Sequence, residues 1–318
     1  MEKDFIFKNR SFSSCLLAAY TLVGENMKGI LRSTWLPVLL CGIFSGVFIT
    51  TNIRLPEVQQ FSDSHPALFL TIFGISLIGM IACSIWAYSR LFSMLNGQSR
   101  RWNLVRMLKL WLCCVIIGII IGVILAGGAL LTARHLKVDL LPFLVDNWLV
   151  VLCTCIVGVI ALLPFNYVSM RYIISPEARF FPELPKSYSI GFRHIGFIFI
   201  TTLITFLILS IIGTIICLPF IILVVAQTFS AVGVANGDPS GMPGYFATLH
   251  GITYGVTAML MIYLAMFQLI VYMFMYGSIE KQREERRNTK LPTPADESAS
   301  LPPTNPLTND NALPDYSI

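Results

Sequence analysis

The sequence predicts an all-α, polytopic transmembrane helical bundle with six spans, and three observations carry that reading. First, 55% of the 318 residues are hydrophobic, only 12% are charged, and mean hydropathy is +0.73. Ordinary soluble domains hold about 25% charged residues. The composition therefore excludes a soluble enzyme, and its apolar content excludes disorder over most of the chain. Second, the charges are clustered, leaving windows long enough to cross roughly 30 Å of hydrocarbon. Third, the alternating pattern of a β-barrel is absent, and helices are the remaining way to satisfy every backbone group in lipid.

The elements follow in order. Ser11 to Leu31 places Phe12, Leu16, Val23, Met27 and Ile30 on one helical side, with Ser13, Ser14, Glu25 and Lys28 elsewhere. That pattern predicts an amphipathic helix lying in the interface. The charge-free run Ser33 to Ile53 supplies span one (34–53), and Pro66 to Ser89 supplies span two (67–89). Trp102, Val105 and Leu108, with Arg101, Arg106 and Lys109 towards headgroups, predict a shorter interfacial piece before span three (110–133). Span four covers 147–170. The next lead-in contains Pro176, Pro182 and Pro185 and is expected to be less helical. No fully charged residue stands between Arg193 and Asp238, which predicts one long span (196–227), kinked at Pro219. A Gly-rich connection, with Gly233, Gly237, Gly241, Gly244, Gly251 and Gly255, is expected to form a flexible or re-entrant cap before span six (254–279). Residues 1–287 form the membrane domain. Residues 288–318, rich in Pro, Ser, Thr, Asn and Asp, are expected to be a disordered cytoplasmic tail.

Nineteen of the 22 Lys and Arg residues fall in the N-terminal segment, the second and fourth connections and the C-terminal segment; Arg54, Arg134 and Lys137 are the remainder. Basic residues favour the cytoplasmic side, so both termini are expected in the cytoplasm and the net charge of +5 is a topology signal rather than a nucleic-acid footprint. Span one is expected to act as an uncleaved insertion signal, since it is too long for a signal-peptide core. The eight cysteines predict no disulfide framework: Cys113-Cys114 and Cys153-x-Cys155 sit in apolar helices, where Cys behaves as a small hydrophobe.

A weak threefold repeat is visible. Each unit, about 11–90, 91–175 and 176–287, opens with a basic segment and continues as a helical hairpin. Trp35 and Trp111 mark equivalent membrane edges in ILRSTWLPVLL and MLKLWLCCVII, and Phe197 stands at the third.

Residues that carry defined chemistry are sparse. Gly42-x-x-x-Gly46 and Gly118-x-x-x-Gly122 are the expected sites of close helix packing. No Asp, Glu, Lys or Arg lies centrally in a span, which disfavours an ion-driven mechanism. Arg100, Arg101 and Arg106, with the intramembrane Asn166 and Gln268, are the candidate contacts for lipid or a partner. His65, His135 and His250 share the outer face and are the candidate metal ligands, because imidazole suits Zn or Fe. They lack H-x-x-x-H or H-x-x-H spacing, so no metal and no cofactor is expected. No catalytic nucleophile and base pair is recognisable.

The lead-in SFSSCLLAAYTLVGENMKGILRSTWLPVLL, followed by six spans and a polar tail, resembles an uncharacterised family of bacterial six-span inner-membrane proteins. Some relatives carry a name implying carotene-cleaving monooxygenase activity. Such enzymes use histidine-bound iron, and the scattered histidines here carry over no ligand set. The hairpin arrangement is also loosely similar to membrane domains found beside lipid phosphodiesterases. The resemblance implies a multi-pass protein of the bacterial inner membrane. The expected function is a non-enzymatic envelope accessory or scaffold whose partners are membrane lipids or another membrane protein. The alternatives are a facilitator or exporter of a small or lipidic molecule, and a metal-dependent membrane enzyme.

Overall fold

The computed structural model describes residues 3–53, 56–136, 148–237 and 241–288. The expected disordered tail beyond Asn288, Arg54, Lys137 and the side chains of Arg134, His135, Cys153 and Cys155 lie outside the described residues. Among those described, the chain is helical with no strand: α1 (Lys3–Ile6), α2 (Phe12–Asn52), α3 (Pro56–Ser64), α4 (Pro66–Asn96), α5 (Arg100–Leu136), α6 (Trp148–Ile174), α7 (Phe180–Arg193), α8 (Ile195–Ala235) and α9 (Phe246–Asn288). Six of these, α2, α4, α5, α6, α8 and α9, contain stretches long and apolar enough to cross a membrane.

The expected interfacial helix before span one is not a separate element. It is the first half of α2, which runs unbroken for 41 residues. The reason is one continuous core stripe. Cys15, Ala19, Leu22 and Ile30 are buried, and Thr34, Val38, Cys41 and Ser45 extend the same face at helical spacing. Ser11 caps the start by accepting the Ser14 N–H at 3.4 Å. The lead-in to α8 is likewise more helical than its prolines suggest. In α7, Pro182 falls in the first turn, where a missing N–H costs little, and Glu183 complements the positive helix start.

α2 and α4 pack antiparallel. Cys41 Sγ meets the Met80 carbonyl at 3.4 Å and Ser84 Oγ at 3.2 Å, and the Phe48 and Phe73 rings lie 5.1 Å apart. Gly97, with φ of +67°, ends α4 in the left-handed region that glycine tolerates. The turn is then locked by a reciprocal pair: Asn96 donates to Asn103 at 2.8 Å and Asn103 donates back at 3.2 Å.

The most extensive packing joins the first and last spans rather than sequence neighbours. α2 and α9 are antiparallel, with Gly42 against Gly255 and Gly46 against Gly251. Gly251 and Gly255 therefore belong to a packed helix and not to a flexible cap. A Cβ on Gly46 would sit 2.6 Å from the Gly251 carbonyl oxygen, and one on Gly42 would sit 2.8 Å from that of Gly255. By contrast, nothing among the described residues lies within 4 Å of a Cβ placed on Gly118 or Gly122. The same spacing thus marks a close crossing on α2 and an open face on α5.

Candidate functional site: a polar collar and an apolar groove

One end of the bundle gathers every segment that the sequence marks as basic. At this collar end, nine consecutive residues of α9, Val271 to Ile279, are all buried. An ordinary surface helix buries one stripe, so this segment is enclosed from all sides. The N-terminal segment supplies one wall. Ile6 presses its carbonyl against Gly277, at a site where any side chain would clash. Ser278 Oγ accepts the Arg10 N–H at 3.0 Å and donates to the Arg10 carbonyl at 2.9 Å. The Arg10 guanidinium caps α1 by donating to Phe5 and Ile6 carbonyls at 2.6 and 3.1 Å, and lies 4.9 Å from the Phe274 ring centre. Burial pushes its pKa below the ordinary arginine value.

The opposite wall is α6. Tyr167, fully buried, donates its hydroxyl to Glu280, whose carboxylate also accepts Arg283 at 2.8 and 2.9 Å. Tyr276 pairs its hydroxyl with Ser175 at 3.0 Å. Arg171 bridges α6 to α7, donating to Ser187 at 2.9 Å and pairing with Glu183 at 3.0 Å. His194, between α7 and α8, is held below the ordinary histidine pKa by burial and by Arg286 and Arg283, against a smaller opposing pull from Glu280.

The structure separates the residues singled out from sequence. Arg106 points inward. It donates to the carbonyls of Tyr172, Ser175, Pro176 and Ala178, the last three at 2.8, 2.6 and 3.2 Å, and stacks between Trp102 and Tyr172. It thus satisfies the carbonyl end of α6 from a neighbouring helix. Arg100 and Arg101 are exposed. Gln268 donates to Tyr272 at 2.7 Å within α9, and Asn166 is half-buried on α6. The candidate metal ligands lie in unlike surroundings. His65 is exposed, with Nδ1 2.9 Å from Ser64 Oγ and its ring stacked on Phe61. His250 is 3% exposed beside Phe220 and Phe246, and neither ring nitrogen has a hydrogen-bond partner among the described residues. Among the described residues, no three His, Cys, Asp or Glu side chains cluster as a metal site.

Beside the collar lies an apolar groove of about 1060 Å³ between α2, α8 and α9. Its walls include Leu17, Tyr20 and Met27 of α2, Ile212 of α8, and Tyr263 and Phe267 of α9, with Ser13 at the collar end. Leu17 and Tyr20 are 65% and 70% exposed, so the groove opens sideways. A Cβ on Gly24, which lines it, would meet nothing within 4 Å among the described residues. Neither Asn166 nor Gln268 borders it. A second apolar cavity of about 690 Å³ lies towards the far end, between α2, α3, α4 and α9.

No protein-family model, curated protein or solved structure matches this chain.

Proposed function

We propose that this protein is a non-enzymatic accessory of the bacterial inner membrane that handles lipid, holding apolar chains in the groove between α2, α8 and α9. The groove carries this reading. Its volume lies just above the roughly 300–1,000 Å³ common for ligand pockets, its walls are almost wholly apolar, and it opens laterally from helices long enough to span a bilayer. Acyl chains fill such a slot without leaving a polar group unpaired. The clustering of the basic segments at one end supports placing that end, with the N-terminal segment and the end of α9, in the cytoplasm. The filled collar end favours an accessory over an exporter, since residues 271–279 are all buried.

The test is native mass spectrometry of protein released gently from membranes, compared with Gly24→Trp. Gly24 lines the groove, and a Cβ there meets nothing within 4 Å among the described residues, so an indole is introduced where the backbone leaves room. Wild type retains lipid, and the variant retains less at equal stability. Equal retention, or a second polypeptide bound in place of lipid, rejects the reading.

A further inference from the structure

We propose that the membrane surface meets this protein obliquely, its apolar belt reaching Ile195 along α8 but ending at Arg32 and Arg90 on the α2–α4 side. The helix pairings set the depths. Gly29 lies against Met94 and Cys41 against Ser84, which brings Arg32 and Arg90 to similar depth. The Gly42–Gly255 crossing, extended one residue per residue, sets that depth near Ala265 of α9. Gly213 of α8 lies against Met261 and Leu264 of α9, and the Phe220 ring lies 4.9 Å from that of Tyr254, so on antiparallel α8 the same depth falls near Leu209. From there to Ile195, α8 continues about 21 Å further towards the collar end.

That extra stretch carries no charge, and Phe199, Leu203, Phe206 and Leu207 on it are exposed. Along the groove wall, α2 exposes Leu17, Tyr20, Met27 and Leu31. One helical stripe further round α2 come Glu25, Lys28 and Arg32, also exposed. The border between apolar and charged surface therefore runs lengthwise along α2. A membrane surface perpendicular to the bundle would cut across it instead.

α9 has a similar apolar surplus, but the protein's own chain encloses it. Among the described residues nothing encloses the surplus of α8 in this way, and its exposed face runs without a charge into Ile211, Ile215, Ile222 and Phe229 of the far half. One medium therefore covers both halves, and we assign it to phospholipid acyl chains. Full immersion of a helix of about 62 Å in roughly 30 Å of hydrocarbon needs a tilt near 60°. Spans reach about 40°, so the collar-side leaflet must also rise locally along α8. The inference rests on the membrane reading and not on what occupies the groove.

The experiment uses the unmodified chain in vesicles of phosphatidylethanolamine and phosphatidylglycerol containing a phospholipid with a diazirine on its acyl chain. Photolysis adducts are mapped by peptide mass spectrometry, alongside hydroxyl-radical footprinting from the aqueous phase. Residues 195–209 acquire acyl adducts at a level comparable to 211–229, while exposed Met94 is oxidised and Phe199 and Phe206 are not. Oxidation of Phe199 and Phe206 without adducts would overturn the proposal in favour of a water-facing inner half. Absence of both marks would overturn it in favour of a covering protein.

Discussion

α8 and α9 are both longer than a bilayer requires and both largely apolar, yet they dispose of the excess in opposite ways. α9 buries its surplus inside protein: residues 271–279 are sealed by the N-terminal segment, α2 and α6. α8 leaves its surplus exposed over the length of the helix. Apolar length alone therefore does not set the depth of a helix in lipid. The partner surfaces decide it, and here they include residues 268 positions away in sequence, as the Arg10–Ser278 pair shows.

The largest effects should fall on the enclosed stretch of α9. Phe274→Ala removes a ring with no exposure that also packs on Phe5 and Arg10. Loss of about 3–5 kcal/mol is expected for a buried Phe. Phe206→Ala on α8, where the ring is 60% exposed, should cost far less in a bilayer. Thermal unfolding of the two variants in the same lipid mixture measures the contrast, and equal losses would erase it.

Glycines sharpen the same comparison. Gly277→Ala on α9 drives a methyl into the Ile6 carbonyl, so it should displace the N-terminal segment and cost about 1–3 kcal/mol, as overpacking does. Gly213→Ala on α8 meets its nearest neighbours, Met261 and Leu264, at an ordinary 3.6 Å. It should be neutral or stabilising by up to about 1 kcal/mol, the helix-propensity gain. Proteolysis of the N-terminal segment reads the first effect, and unfolding midpoints read both.

Next comes the collar ion pair. Glu280→Gln leaves Arg283 without its carboxylate in a partly buried site, and Tyr167 with a weaker acceptor. A loss of about 1–3 kcal/mol follows from a weakened charged hydrogen bond, and restoring Glu recovers it. The smallest effect is the pH response of His194. Its folded pKa lies below the unfolded value, so the unfolded chain binds the proton more readily. Stability is complete above about 6.5 and declines as pH falls through the folded value. His194→Gln should flatten that slope, as pH-dependent unfolding would show.

The sequence made the apolar windows legible because ionised residues are too costly to scatter through a span. It also made the collar legible as clusters of Lys and Arg. What escaped it is non-local. Gly251 and Gly255 carry the same four-residue spacing as Gly42 and Gly46, yet a weakly apolar surrounding sequence disguised them as loop. Arg10 meets Ser278, and Tyr167 meets Glu280, only once the N-terminal segment, α6 and α9 are packed, and no local pattern encodes those meetings. Arg106 did have a local signal, since a basic residue is well placed near open helix carbonyls. The carbonyls belong to the end of α6 and the turn after it, however, and lie 66 or more residues away. The continuity of α2 was hidden because an interfacial helix and the start of a packed span share the same amphipathic pattern.

The central claim is that the groove beside α8 is a lipid site. The most direct measurement is the thermal midpoint of purified protein with and without added phospholipid, for wild type and Gly24→Trp. A ligand that binds only the folded state stabilises it by mass action, by about 2.7 kcal/mol at a hundredfold excess over Kd. Phospholipid should raise the wild-type midpoint, and the groove-filled variant should lose most of that rise. An equal rise in both proteins would contradict it.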